Sequence, residues 1–390
     1  MATVKSGRLI VAAILAILVY GMVAAMLGTL LPALTTRFGM TPEMSGDIAF
    51  MQALGLIIAS ISAGPLVDNK GKKTGLLLAL FVIAVALFAL PNAASYGQLK
   101  AFMLLLGLGG GILVTAANAL VADISVERRA STLNLLNLFF GLGGLLTPFI
   151  GANLLAGKAV GLCYLVAVLT AVTLAVHGAT AMPPPSGERG FKVSEMGGVL
   201  GNPALYLLSL FLFLYVACEV GIWNWLAKHL MAQGIPETQA LNILSLGFAL
   251  GLLLGRVVVS RILIKVAAPT VTLAASVLMA VTTYLALQSS NATIAWIAVF
   301  CAGLAMAPVF PTTLGMTGDA FPKATATAMG IVITCGWIGL AVSSKIIGGI
   351  AGGDDTRLKT ALLALPAFSV AMIVVNLFLR PMLAKARQAA

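Results

Sequence analysis

Apolar runs of bilayer-spanning length recur along all 390 residues of this chain, and they restrict its fold more than any other feature. About twenty consecutive apolar residues cross the hydrocarbon core as a helix. With no water in that layer, only helices and closed barrels satisfy their own backbone groups. A barrel would show short alternating segments, and the sequence has none. The runs predict twelve spanning helices, at about 8–36, 43–67, 74–92, 98–122, 131–156, 159–181, 203–230, 238–262, 266–288, 292–318, 324–350 and 358–384. With 60% hydrophobic and 9% charged residues, the composition is that of a membrane protein and not of a soluble core. The first run is too long for a cleaved signal peptide and is expected to remain as a helix.

The net charge is +11. A basic protein can bind nucleic acid, but here the bases are scattered among short loops, so no nucleic-acid partner is expected. They report orientation instead. If the spans alternate, Lys70/Lys72/Lys73, Arg128/Arg129, Arg261/Lys265 and Lys323 fall on one side. The positive-inside rule makes that side cytoplasmic and puts both termini there, in a multi-pass protein of the cytoplasmic (inner) membrane.

One connection is long. Around 182–202 the chain carries three consecutive prolines and most of the local charge, and it reads as a cytoplasmic linker between two halves, 1–181 and 203–390. Internal repetition supports the division. Gly107 opens a segment that reaches Asp123, and Gly303 opens one that reaches Asp319, with a common offset of 196 residues. The expected architecture is all-α, with twelve transmembrane helices in two pseudo-symmetric six-helix bundles.

The most costly residue in this plan is Glu219, midway along the seventh run in Tyr215-Val-Ala-Cys-Glu-Val-Gly-Ile-Trp-Asn-Trp225. A charged group at bilayer depth costs roughly 2.5–3.5 kcal/mol on insertion scales, so its presence points to function or to a buried partner. Lys345 in span eleven is the one base that the predicted spans place deep enough to pair with it. Without such a partner, Glu219 is suited to take up and release a proton, or to accept hydrogen bonds from a solute.

Between spans two and three lies Gly64-Pro-Leu-Val-Asp-Asn-Lys-Gly-Lys-Lys73. Asp68 closes a helix and can accept bonds from a neighbouring helix end or a base. Gly71 suits a tight turn, and Lys72 and Lys73 are expected at the anionic leaflet. The pattern G-x-x-x-D-x-x-G-K-K resembles the hallmark loop of the major facilitator superfamily. A second copy around Leu254–Arg261 keeps Gly255, Arg256 and Arg261 but lacks the acid. Val114-Thr-Ala-Ala-Asn118, Asn134-Leu-Leu-Asn-Leu-Phe-Phe-Gly-Leu-Gly143 and the stretch around Glu219 are similar to the fucose/glucose/galactose–proton symporter family. In the fucose symporters an acid stands directly before Thr-Ala-Ala-Asn; here that residue is Val114, and span one has no acid either. Glu219 is therefore the single deep carboxylate available for coupling to protons.

The resemblance implies that spans one, four, seven and ten line a central cavity, flanked by two, five, eight and eleven. Tyr20, Gln52, Thr115, Asn118, Asn134, Asn137, Glu219, Trp223, Asn224 and Asn242 are then candidate substrate contacts, with Glu219 also the proton carrier. Amides and a carboxylate bond sugar hydroxyls, and an indole covers an apolar sugar face. Each candidate also has a plainer reading: amides bond across helices in membrane bundles, and Trp223 packs. Gly64, Asp68, Gly71, Lys72, Lys73, Asp123, Arg128, Arg256 and Asp319 are expected in gating, with Asp123 and Asp319 latching against helix ends and bases such as Arg128 and Arg129.

Nothing suggests an enzyme, a metal site or a cofactor. There is no nucleotide-binding loop, His177 and His229 stand alone, and the four cysteines lie in separate apolar runs. The leading expectation is a monomeric secondary active transporter that moves a small polar solute, a sugar, across the cytoplasmic membrane by alternating access, coupled to protons through Glu219. A sugar uniporter, a proton-coupled exporter of drugs or amphipathic lipids, and a non-transporting sensor on the same scaffold remain as alternatives.

Overall fold

The computed structural model describes residues 6–40, 42–155, 159–183, 196–351 and 355–389. Most of the predicted linker, 184–195, lies outside them. Among the described residues there are helices and no strands.

Spans one to seven are Ser6–Phe38, Pro42–Lys70, Lys72–Ala89, Tyr96–Ile124, Arg129–Phe149, Ala159–Ala179 and Pro203–Ala232. Span nine is Ala268–Gln288, eleven is Thr325–Ala351 and twelve is Ala364–Ala389. Span ten runs as Ala292–Met306 followed by Val309–Ala320, with Pro308 and Pro311 at the interruption. Eleven helices among the described residues are long and apolar enough to cross a bilayer. Span eight completes the twelve as three consecutive pieces: Glu237–Asn242, a π-helical stretch Ile243–Ala249, and Leu250–Ile262.

Local sequence sets several helix starts. Ser95 accepts a bond from the Gln98 backbone N–H, and the Gln98 side chain accepts one from Ala94 N, a near-reciprocal cap at the start of span four. Asn202 caps span seven, where Pro203 needs no hydrogen-bond partner for its nitrogen. Within spans, threonine hydroxyls such as Thr115, Thr170 and Thr313 donate to the carbonyl four residues back, which satisfies them without water. Large apolar side chains such as Phe81, Val168, Leu278 and Phe378 point outward. In water such a surface would aggregate; in a bilayer it faces lipid.

The helices pack into two compact units. One comprises Met1–Val126, Phe139–Gly197 and Phe321–Thr334; the other comprises Glu127–Leu138, Gly198–Ala320 and Cys335–Ala390. The beginning of span five thus packs with the second unit and the beginning of span eleven with the first.

The two units repeat one packing device. In the first, Gly55 lies against the Leu104 carbonyl and Gly107 against the Gln52 carbonyl, where spans two and four touch backbone to backbone. In the second, Gly251 lies against the Phe300 carbonyl and Gly303 against the Phe248 carbonyl. All four positions of the first seam recur 196 residues later in the second. Without a hydrophobic driving force between helices in lipid, such close approach is what holds a seam together. A Gly107→Val substitution is expected to push spans two and four apart and cost about 1–3 kcal/mol or more, read as a lower melting temperature of the purified protein. An unchanged melting temperature would contradict this packing.

Candidate functional site

Span seven carries the first cluster. Tyr215, Glu219 and Trp223 follow at intervals of four and share one helix face. The Tyr215 ring is fully buried, Glu219 is half-buried, and Trp223 is 37% exposed. Among the described residues, Tyr215, Trp223 and Arg256 bear electrostatically on the Glu219 carboxyl. The Tyr215 hydroxyl is buried without a hydrogen bond of standard geometry, so it stands by the carboxyl as an unused donor.

Arg256 comes from span eight, where it is 2% exposed. The second copy of the hallmark loop is helix there, and Arg256 lies in its interior. Among the described residues it is the base whose charge bears on Glu219; the side chain of Lys345, expected in that role, lies outside the described residues. Phe248, in the π-helical stretch, packs edge-on against Trp223, with ring centroids 5.1 Å apart.

Span five supplies the neighbours. Arg256 donates to the backbone carbonyl of Asn137, whose own amide donates to Leu133 O at 3.0 Å. Asn134 donates to Ala130 O and to Thr312 Oγ1, both at 2.9 Å, and its Oδ1 is buried without a partner. Asn224 and Asn242 are exposed and stand outside the group acting on Glu219.

The first unit holds the remaining candidates. Tyr20 is buried with its ring 5.3 Å from that of Phe140. Asn118 is fully buried and donates to Val114 O at 2.8 Å. Thr115 donates to Gly111 O, and Gln52 is half-buried beside the glycine seam.

The predicted gating residues form a second cluster. Gly71 is the single residue between spans two and three, with φ 89°, a conformation glycine adopts without strain. Asp68 is buried at the start of span eleven. It accepts bonds from Ala326 N at 3.3 Å, Thr327 N at 2.8 Å and Thr327 Oγ1 at 2.7 Å, and so caps that helix with a negative charge. Gly64 permits the approach, since a Cβ there would meet Thr327 Cα at 2.5 Å. Lys72 is not at the leaflet surface: it is 3% exposed and pairs with Asp123 at 2.6 Å. Lys73 donates to the carbonyls of Gly178 and Thr180 at the end of span six. Arg128 is exposed, and Arg129 makes the ion pair with Asp319, at 2.6 Å. Asp123 and Asp319 thus hold equivalent positions in the repeat but take bases from different helices. Where the second repeat lacks the loop acid, Ser131 Oγ donates to Ser260 O at 2.6 Å.

The sequence reading missed Tyr215, Phe248, Thr312 and Thr327 as partners. Four-residue spacing from Glu219 marks Tyr215; the other three meet their partners only through helix packing.

Twelve spans with a repeated glycine seam, a charged interior cluster and a capped loop define a membrane transporter of the two-repeat helical kind. The chain belongs to the Major Facilitator Superfamily, whose family model matches residues 13–344. It is 26% identical over 352 residues to the glucose/galactose transporter of Brucella abortus biovar 1, covering 85% of each chain. It is 24% identical over 381 residues to bypass of stop codon protein 6 of Saccharomyces cerevisiae, covering 88% of this chain and 76% of that protein. Its fold matches the crystal structure of the E. coli fucose:proton symporter FucP with a TM-score of 0.82 at 16% identity, over 95% of this chain and 98% of that one.

Proposed function

We propose that this transporter moves a small polar solute, a sugar, across the cytoplasmic membrane by alternating access, with Glu219 as its working carboxyl. In this reading two halves, 1–181 and 203–390, joined by a cytoplasmic linker, rock about the solute; both termini are cytoplasmic and the monomer is the working unit. The observation that carries the proposal is the pairing of Glu219 with Trp223 one helical turn on. A half-buried carboxyl that accepts hydroxyl hydrogens, next to a partly open indole that covers apolar C–H groups, suits a hydroxylated ring. The likeness to a protein named a glucose/galactose transporter supports the same class. Proton coupling is assigned to Glu219 because span one has no acid and the acid of span four, Asp123, stands at its end in an ion pair with Lys72.

Uptake of labelled glucose, galactose and fucose into proteoliposomes, with and without an inward proton gradient, tests both parts. The expected result is gradient-driven accumulation of at least one hexose, lost in Glu219→Gln while exchange of solute across the membrane persists. Accumulation that survives Glu219→Gln would remove the proton role. Transport of hydrophobic cations with no hexose flux would replace the sugar reading with the exporter.

A further inference from the structure

In the first unit, spans one, three and six meet at one end around a groove of about 420 Å³. Leu30 and Leu34 of span one, Leu90 just past span three, and Val160 and Cys163 of span six line it. The two span-one leucines, Leu90 and Cys163 are buried, while Val160 is exposed at the open side. The volume falls within the ~300–1,000 Å³ of small-molecule sites.

One charged residue lines this groove, Arg37 in the last turn of span one. Its Nη1 and Nη2 donate to the carbonyls of Pro91 and Ala93, both at 2.7 Å, and its guanidinium lies 5.1 Å from the centre of the Phe38 ring. Those carbonyls stand at the 3₁₀ turn that follows span three, where helix-end acceptors lack intrahelical partners. Capping accounts for these two bonds, but a guanidinium has five N–H donors, so the cap leaves three. Among the described residues no carboxylate is paired with Arg37, and the side chain remains exposed. Two carbonyls and a ring thus hold a donor fork in one direction at the mouth of an apolar groove. An acceptor that meets it there need not order the side chain first.

The bilayer supplies such an acceptor. The ends of the three spans mark the edge of the hydrocarbon, where headgroup phosphates begin. Arginine bonds phosphate through charge-assisted, often bidentate contacts. An acyl chain gains little by leaving bulk lipid for the groove, because lipid tails are as apolar as its walls. The headgroup therefore decides whether a lipid stays. A second groove, between spans nine and twelve, has about 400 Å³ and is lined by residues such as Ala280, Tyr284, Pro366 and Val370, with no charged side chain. It offers a chain similar walls without an anchor.

We propose that spans one, three and six form a phospholipid site, with an acyl chain in the groove and the headgroup phosphate on Arg37. The inference needs neither a particular solute nor any role for Glu219.

The full chain in nanodiscs containing phosphatidylglycerol with a diazirine on one acyl chain provides the test. After illumination, adducts are mapped by peptide mass spectrometry. Labelling at 30–34 and 159–163 is expected to fall roughly tenfold in Arg37→Gln, as the loss of a charge-assisted contact implies. Arg37→Lys, which keeps the charge but not the fork, is expected to lose less. Val160→Trp, which fills the groove and leaves Arg37 in place, is expected to lose the labelling as well. Adducts at 280–285 are the reference and are expected to be the same in every variant. Diacylglycerol with the same diazirine chain, which has no phosphate, is expected to label the two grooves alike. Labelling of the first groove that is unchanged in Arg37→Gln, or as strong with diacylglycerol as with phosphatidylglycerol, overturns the proposal. The lipid comparison uses the unaltered protein, so it decides the matter even if Arg37→Gln does not fold. Labelling abolished by inorganic phosphate in the buffer would make Arg37 a free-anion site and overturns the proposal too.

Discussion

Replacing Asp68 with alanine is expected to destabilise the protein by about 3–5 kcal/mol, since hydrogen bonds to a charged group are worth about 1.5–3 kcal/mol each and a favourable helix-end charge up to about 2. Three donors at the start of span eleven lose their acceptor together: two backbone N–H groups and the Thr327 hydroxyl. The site is buried at both partners, so water replaces the lost bonds poorly. Asp68→Asn keeps an acceptor oxygen but not the charge and is expected to lose roughly half as much. Thr327→Val removes one bond of the three and is expected to cost about 1–2 kcal/mol. Thermal unfolding of the purified protein should rank the variants Ala, Asn, then Val. If Asp68→Ala melted with the parent, the carboxylate would not be holding span eleven.

The second large effect is expected at Glu219. Glu219→Leu removes an acid whose charge offsets that of the buried Arg256, and leaving a buried charge uncompensated costs up to about 3–5 kcal/mol. Adding Arg256→Met to the same chain removes the stranded charge. The double variant is expected to recover much of the stability, because an apolar pair in a buried site is often as stable as the ionic one. Neither variant is expected to accumulate solute. Unfolding free energies of the two single variants and the double complete the cycle. Strict additivity would mean that the two side chains do not interact, and would detach Arg256 from the site.

The parts of this molecule that could be read in advance share a property: they depend on neighbours along the chain. Run length against bilayer thickness predicts the spans, while span eight, with its π-helical stretch, and span ten, interrupted at Pro308, break the regular helix that apolar runs imply. The 196-residue repeat is legible in Gly107 and Gly303, because a helix seam in lipid needs small residues at matching places in both halves of the repeat. Gly71 was likewise legible, since one residue between two helices demands unusual backbone. Glu219 and Trp223 stand one turn apart by simple spacing.

Partnership across helices was not legible. Lys72 looks like a surface base in a basic loop, yet it is buried on Asp123, because the fold brings the end of span four to the start of span three. Arg256 looks like the remnant of a loop motif, yet span eight carries it into the interior, where it donates to the Asn137 carbonyl of span five. Asp123 and Asp319 occupy equivalent places in the repeat, yet one takes a lysine from span three and the other an arginine from span five. Hydropathy and spacing are one-dimensional and fix which residues enter the membrane and which share a helix face. Which charge meets which is decided where two helix backbones approach, and that depends on packing contributed by residues far apart in the chain.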